Sequence, residues 1–358
     1  MKIRKEEMQH TKRIYLSEYA VSLFTARWLM TSASQLMSGG KISLEQQELI
    51  DNTHIYIISK LPSLAFSRLT FNHIDHKISG ILRYKVKGEK REIDFSTDFH
   101  LPEDATEIRI SDYPHRELIT YNEKGEKVTY LPASMISTGL GLHVKNKELG
   151  NLEVLYVGQA FGDGSRNTFD RLRSHSTCQK ILAQVQYEDP DSEVYLLAFE
   201  YCPYRIFLQF DGKAKGVISD YRDLNRVRSV IDNPLTIHQQ ICLAEASLIR
   251  YFQPRYNEIY KHNFPNENHK LLQSCYDLDF SGLVVEINTE ELMFNLFSNT
   301  IVPKEHHICN IEIIDPEERW GFFHTTLDDN KTVKAPNVIE NINITTGSTR
   351  NPQRTRVR

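Results

Sequence analysis

The chain has 358 residues, which is long for one ordinary domain and predicts two or three. Hydrophobic residues make up 40% of it and charged residues 25%, which is ordinary for a globular protein, and the formal net charge is −4. This balance excludes a protein that binds nucleic acid through an overall positive charge, so any phosphate-binding surface must be local.

The cysteines and the apolar stretches predict a cytoplasmic protein with no membrane partner. Five cysteines are spread along the chain without a C-x-x-C pair, which indicates reduced thiols and neither a disulfide framework nor a zinc ribbon. Residues 1–13 are mostly polar and show no secretory signal. The longest apolar stretch, residues 21–30, is interrupted by polar side chains and is too short to span a bilayer.

Residues 1–136 are predicted to form an N-terminal domain, helical and then β-rich, that selects a substrate or binds a partner. Apolar residues recur at helical spacing over residues 14–37, which predicts a helix. Ser43 and Gln46 form a capping-box pattern for a second helix that runs towards Lys60. The hydrophobic period then changes to two. The predicted strands are residues 81–86, 108–110, 118–121 and 128–130, with a turn at 122–125.

Residues 137–260 are predicted to form a second domain of short strands and amphipathic helices. A polar turn at residues 146–150 indicates a hairpin between its first two strands. Residues 203–234 are basic and rich in turns, which indicates an insertion. The predicted strands are residues 140–145, 152–157 and 194–201, and the predicted helices are residues 165–185 and 237–252.

Residues 261–327 are predicted to form a C-terminal α/β extension, and residues 328–358 a basic, disordered tail. The tail is poor in hydrophobic residues, and from Lys331 onward six basic residues accompany a single acid, Glu340. In the extension, the predicted strands are residues 282–287 and 309–314, and the predicted helix is residues 289–297.

Four side chains of types that can act in phosphodiester hydrolysis occur in the second domain in a definite order. Tyr156-Val157-Gly158 ends an apolar strand, Arg171 and His175 lie one helical turn apart, and Glu245 lies beside the apolar stripe of the last helix. Asn257 follows twelve residues later. This order resembles the GIY-YIG nuclease superfamily over about residues 139–258, roughly a third of the chain.

The resemblance implies an α+β fold with a three-stranded antiparallel sheet flanked by helices. Tyr156-Val157-Gly158 matches the second signature tripeptide, with valine in place of isoleucine. The first tripeptide should precede it in a hairpin, and the best candidate is Gly141-Leu142-His143. A histidine there replaces the tyrosine of the family.

The resemblance also implies a role for each of these side chains in a metal-dependent endonuclease that cuts DNA. Tyr156 would activate the attacking water, with His143 as a possible assisting base, although ionising an ordinary phenol at neutral pH costs about 4 kcal/mol. Arg171 would hold the scissile phosphate, and His175 would hydrogen-bond the phosphate or the water. Glu245 would bind one Mg²⁺ or Mn²⁺.

The partner expected from this resemblance is DNA, and RNA is not excluded because no stacking platform separates the two. The remaining basic and amide side chains of the domain are candidates for contacts to the nucleic acid. These candidates are Gln159, Arg173, Lys180, Lys213, Lys215, Arg226, Arg228 and Asn257.

Two alternatives stay open at this stage. Each residue alone fits an ordinary structural role, such as a half-buried sheet tyrosine or a solvated arginine, although a glutamate beside an apolar stripe is costly without a partner. The domain could also be an inactive module on a nuclease fold that binds nucleic acid or protein. The replaced signature tyrosine and the acidic overall charge favour that alternative.

Overall fold

A computed structural model describes residues 13–38, 44–139, 146–160, 168–266, 268–315, 319–326 and 332–334. Over these ranges the protein is mixed α+β, with several sheets and eight α-helices. The strands are β1 (Ser17–Leu23), β2 (Thr25–Ser32), β3 (Ile55–Pro62), β4 (Ala65–Phe66), β5 (Asn72–Ile74), β6 (Lys77–Val86), β7 (Glu89–Asp98), β8 (Glu107–Ile110), β9 (Glu117–Tyr121), β10 (Lys127–Pro132), β11 (Asn151–Gln159), β12 (Ser192–Tyr201), β13 (Arg205–Phe210), β14 (Gly282–Asn288), β15 (Asn295–Phe297), β16 (His306–Glu312), β17 (His324–Thr326) and β18 (Thr332–Lys334). The helices are α1 (Ala33–Ser38), α2 (Leu44–Asn52), α3 (Ala133–Gly139), α4 (Thr168–Ser174), α5 (Ser176–Glu188), α6 (Tyr221–Asp232), α7 (Ile237–Phe252) and α8 (Gln273–Asp277).

A five-stranded sheet with the order β15-β11-β3-β12-β2 forms the centre of the fold. β3 runs antiparallel to both β11 and β12, whereas β15 runs parallel to β11. Successive side chains of a strand point to opposite faces of a sheet. In β12, Leu196 and Ala198 pack into one core, and Leu197 and Phe199 pack into another. Both faces of the sheet are therefore covered.

Different helices cover the two faces. On one face, Ile50 of α2, Leu172 of α4 and Ile181 of α5 join the core. On the other face, Leu243 and Leu248 of α7 are fully buried in a core that also contains side chains of a second sheet. α7 is thus held between two sheets, and a capping box at its N-terminus fixes where it begins.

The second sheet has the order β13-β1-β14-β16, and a separate β-rich segment, β4 to β10, lies in the chain between β3 and β11. This segment contains a sheet centred on β6 and a three-stranded sheet, β10-β9-β8. Phe66, Leu82 and Leu118 belong to a core that is distinct from the two cores of the central sheet. Two neighbouring strands of the central sheet are thus joined by a folded insertion.

The helix predicted over residues 14–37 is wrong. β1 and β2 occupy most of that stretch, and only the short helix α1 follows them. All seven residues of β1 are buried, so the strand is covered on both faces and shows no period of two. Without that period, its apolar residues Tyr19, Ala20 and Leu23 also fit a helical stripe, which is why spacing alone misled the prediction.

Several other expected elements differ in extent or type. The second helix ends at Asn52 as α2, and the chain continues to Pro62 as strand β3. Residues 146–150 contain a single turn of 3-10 helix, Lys147–Leu149, and the predicted partner strand at residues 140–145 lies outside the described residues. The strand that pairs antiparallel with β11 is β3.

The predicted domain boundaries also differ from the observed sheets. β3 precedes the expected boundary at residue 136 but pairs with β11 and β12, which follow it. The stretch 203–234, predicted as an insertion, supplies β13 to the second sheet. The helix predicted at residues 289–297 is a 3-10 turn followed by β15. In the predicted disordered tail, residues 332–334 form β18, which pairs with β17.

The remaining predicted strands and helices have counterparts close to their expected positions. α7 begins and ends at the expected residues, whereas the helix expected over residues 165–185 is divided into α4 and α5 at His175. Within the described ranges, every helix is too short or too polar to cross a membrane.

Candidate functional site

Two tyrosines from neighbouring strands lie side by side at the start of β3 and in β11. Tyr56 pairs in register with Gly158, and the rings of Tyr56 and Tyr156 are 6.1 Å apart between centroids. Burial raises the pKa of Tyr156, and the neighbouring Tyr56 phenol partly opposes this. A Cβ at Gly158 would come within 2.5 Å of the Tyr56 Cζ and Oη and 2.7 Å of the Tyr156 Cε1. Only glycine leaves room for this pair of rings.

Helix α4 brings an arginine and a histidine to the tyrosine pair. The ring of His175 lies 6.0 Å from that of Tyr156 and 6.4 Å from that of Tyr56. Burial and the Arg171 guanidinium lower the pKa of His175, so its imidazole is neutral at pH 7. Arg171 Nε and His175 Nδ1 are buried, and neither has a hydrogen-bond partner among the described residues. Both groups are therefore poised to bond a ligand.

Glu245 on helix α7 lies near Tyr156 and Arg171. The backbone N–H and the side-chain amide of Gln159 donate hydrogen bonds to its carboxylate. Burial raises the pKa of Glu245 to about 7, although Arg171 and Gln159 partly oppose this. The Glu245 charge in turn raises the pKa of Tyr156, after the larger effect of burial. The four side chains thus share one electrostatic environment.

Asn257 holds the strand that carries Tyr156. Its Oδ1 accepts a hydrogen bond from the Val157 N–H at 2.9 Å, and its Nδ2 donates one to the Val157 carbonyl at 2.8 Å. The side chain is buried, so both bonds are shielded from water. Asn257 therefore acts on the backbone of β11, and its amide is not available to a nucleic acid.

Asn257→Ala is expected to lower the free energy of unfolding by about 2–3 kcal/mol, because two buried backbone groups lose their partners. Urea unfolding measures this change. Asn263→Ala is the matched control, since Asn263 is exposed and its loss should change stability by less than about 0.5 kcal/mol. Equal stability of the two variants would show that the two hydrogen bonds between Asn257 and the Val157 backbone do not stabilise the fold.

The other predicted nucleic-acid contacts are dispersed. Arg173 donates from Nε to the Leu36 carbonyl at 3.0 Å, so it holds α1 in place. Lys180 is exposed on α5, directly after the helix that carries Arg171. Gln159 bonds Glu245 as described above. Of these three, Lys180 alone has its side chain free to meet a phosphate at the surface.

The basic residues of the stretch 203–234 belong to the second sheet and its surroundings. Arg226 is mostly buried, pairs with Asp223 and Asp279, and lies over the ring of Tyr15 at 3.8 Å. Its guanidinium is therefore part of an internal ion cluster and is not exposed for a phosphate contact. Lys213, Lys215 and Arg228 are exposed. His143 lies outside the described residues.

Glu245 carries the carboxylate of this site that could serve as a ligand to a hard cation. The described residues contain no group of three or more His, Cys, Asp and Glu side chains arranged for a metal. Glu245 is half-buried, and within the described ranges no ion pair reaches its carboxylate. A carboxyl with a raised pKa and no cationic contact fits Mg²⁺ or Mn²⁺ that keeps several water ligands.

Sequence reasoning missed two side chains of this site, Tyr56 and Tyr260, and their neighbour Cys242. Tyr56 stands in an apolar, β-branched run, Ile55 to Ile58, which is typical of a buried strand and could have marked β3. Cys242 lies one turn before Glu245 on α7. The pKa of Tyr260 is raised by burial and by the charges of Glu245 and Cys242. Tyr260 lies in a loop, and no local sequence pattern predicts its place in the site.

No protein family, no curated protein and no solved structure matches this chain. A function can therefore be proposed only from the geometry and chemistry of the residues themselves.

Proposed function

We propose that the chain is a metal-dependent endonuclease that hydrolyses DNA phosphodiester bonds on a GIY-YIG-like fold. One observation carries the proposal. Tyr156, Arg171 and Glu245 come from three elements spread over ninety residues of sequence, and both Arg171 and Glu245 alter the ionisation of Tyr156. A phenol, a guanidinium and a carboxylate in one half-buried cluster are the groups that water activation, phosphate binding and metal binding require.

The topology supports an assignment of the signature strands that differs from the sequence expectation. β3 begins with Ile55-Tyr56, directly after His54, and it pairs antiparallel with β11, which carries Tyr156-Val157-Gly158. We therefore take His54-Ile55-Tyr56 as the first signature tripeptide, with histidine in place of glycine. Tyr56 then supplies the tyrosine that position 143 lacks, and the segment β4 to β10 is an insertion between the two signature strands.

Arg171 is the phosphate-binding group in this proposal. Its Nε is buried without a hydrogen-bond partner among the described residues, which is costly unless a ligand supplies an acceptor. A guanidinium stays protonated and presents a planar fork that matches two phosphoryl oxygens. His175, neutral at pH 7, adds one donor or acceptor beside the same phosphate.

The two phenols orient the attacking water. Burial raises the pKa of both Tyr56 and Tyr156, so both are protonated at neutral pH in the metal-free protein. Each protonated phenol has one proton to donate and lone pairs that can accept a proton from the water. When bound at Glu245, Mg²⁺ supplies Lewis-acid stabilisation of the leaving oxygen and neutralises the carboxylate. Neutralising the Glu245 charge removes one of the two causes that raise the pKa of Tyr156, and burial is the cause that remains.

Arg171→Lys is expected to lower the initial rate of plasmid cleavage in Mg²⁺ by about 100-fold or more, because lysine cannot bind the phosphate bidentately. Arg68→Lys is the matched control, since Arg68 is exposed in the inserted β-rich segment. Equal rates for wild type and both variants would mean that the cutting does not come from this site.

The same assay separates cleavage from binding alone. Supercoiled plasmid, single-stranded DNA and RNA are incubated with the protein in Mg²⁺ and in Mn²⁺, and retention of each nucleic acid is measured as a function of salt. The proposal predicts cleavage of DNA. Salt-sensitive retention of DNA without any cleavage would identify an inactive module on this fold and would overturn the proposal.

A further inference from the structure

A cysteine and a histidine on α7 are spaced as ligands of a soft metal. His238 and Cys242 lie four residues apart, so both project from the same face of the helix. The Cys242 Sγ is 3.5 Å from the His238 Nε2. His238 is exposed and Cys242 is partly buried, so a cation from solvent has access to the histidine side of the pair.

This separation is the one that a tetrahedral zinc ion imposes. Zinc binds thiolate sulfur at about 2.3 Å and imidazole nitrogen at about 2.0–2.1 Å, and a tetrahedral angle between these bonds puts the two ligand atoms about 3.5 Å apart. Thiolate and imidazole donors also select Zn²⁺ over Mg²⁺. The pair therefore differs in chemistry from the all-oxygen site at Glu245.

A third donor stands at a matching distance. The Oε1 of Gln159 is also 3.5 Å from the Cys242 Sγ. Zinc–oxygen bonds are about 2.0–2.2 Å long, so a tetrahedral ion bound to the sulfur could reach this oxygen as well. Water would complete the coordination. Three protein ligands and one water describe an exchangeable site, whereas structural zinc sites have four protein ligands.

We propose that Cys242, His238 and Gln159 form a binding site for Zn²⁺ or a cation of the same class. On binding, the Cys242 thiol loses its proton to solvent, and the thiolate and the neutral imidazole of His238 each give a lone pair to the metal. The metal needs no change of backbone, because the two closest donors already belong to one regular helix.

The site would also act on the proposed nuclease centre, and this consequence rests on the proposed function. Gln159 is shared, since its side-chain amide also donates a hydrogen bond to the Glu245 carboxylate. A cation that draws the Gln159 oxygen towards Cys242 turns the amide and weakens that bond. Zn²⁺ should therefore lower Mg²⁺-dependent cleavage in the wild type by about tenfold or more and spare a Cys242→Ser variant, since losing a hydrogen bond to a metal-binding side chain costs about 10–100-fold.

Cobalt(II) tests the binding site without any need for activity. Co²⁺ replaces zinc in nitrogen–sulfur sites, and a thiolate ligand gives a charge-transfer band in the near ultraviolet. Titration of the full chain with Co²⁺ should produce this band in the wild type and in Cys202→Ser. The band should be lost in Cys242→Ser and at least tenfold weaker in affinity in His238→Ala.

His262→Ala is the matched control for the histidine, since His262 is also exposed. A band that persists in Cys242→Ser, or a wild type that shows no band in excess Co²⁺, would overturn the site. Circular dichroism of each variant confirms that it is folded. The band reports metal binding alone. If the chain binds Co²⁺ but cuts no DNA, the metal site is supported and the proposed nuclease function is contradicted.

Discussion

Glu245→Gln is expected to abolish cleavage and yet stabilise the metal-free protein by about 3 kcal/mol at about pH 8. The stabilisation follows from the raised pKa. Burial raises the pKa of Glu245 from an ordinary value of 4.5 to about 7, so above neutral pH the folded protein carries a poorly solvated charge. Glutamine has nearly the same shape and carries no charge.

The sign of the pH dependence follows from proton binding. Between pH 4.5 and about 7 the folded chain holds a proton on Glu245 that the unfolded chain has released. The stability from this group is fully present below pH 4.5 and is lost as the pH rises through 7. Urea unfolding of wild type and Glu245→Gln without divalent ions should therefore give curves that coincide near pH 4.5 and separate towards pH 8.

The loss of activity follows from the same carboxyl. Without its one protein ligand the metal no longer stabilises the leaving oxygen, which is worth several kcal/mol, so the cleavage rate should fall by about 1000-fold or more. Glu123→Gln, in an exposed turn, should change neither the rate nor the pH dependence of stability. A Glu245→Gln variant that is less stable at every pH would mean that the carboxylate is internally paired and structural.

Gly158→Ala is expected to lower the cleavage rate by about 100-fold, because a displacement of about 1 Å at a reacting group costs that much. The added methyl would overlap the Tyr56 ring and its hydroxyl and crowd Tyr156. Tyr56 is fully buried and cannot turn away without moving its neighbours. We expect the free energy of unfolding to fall by about 1–3 kcal/mol as well.

The control for this substitution is Gly212→Ala, where an added Cβ meets no atom within 4 Å. Rates are compared at a temperature where both variants remain folded, as checked by circular dichroism. If Gly158→Ala cleaves at the wild-type rate, the spacing of the two phenols does not matter to the reaction. Tyr56 would then have no role in the proposed site.

The parts of the fold that the sequence predicted well are those where the hydrophobic period is unambiguous. α7 has a clear apolar stripe, and the structure confirms its predicted limits. In the inserted β-rich segment, β9 alternates between buried and half-buried residues. β1 failed because every one of its residues is buried, which removes the alternation that distinguishes a strand.

The site was only partly predictable for a different reason. Arg171 and His175 lie four residues apart, and this local spacing predicts that both side chains project from the same side of the chain. Tyr56 is adjacent to Tyr156 only because β3 and β11 pair across a long inserted segment. Strand pairing over such a distance is set by the whole hydrophobic core and leaves no local mark in the sequence. The tripeptide was therefore sought in the adjacent hairpin and assigned to residues 141–143.

The most direct test of the central claim is the anomalous density of a crystal soaked in Mn²⁺. We predict one strong peak about 2.1 Å from a Glu245 carboxylate oxygen, beside the phenols of Tyr56 and Tyr156. The same soak of a Glu245→Gln crystal should show no peak at that position. A wild-type crystal in which manganese binds elsewhere and leaves the neighbourhood of Glu245 empty would contradict a metal-dependent nuclease centre in this protein.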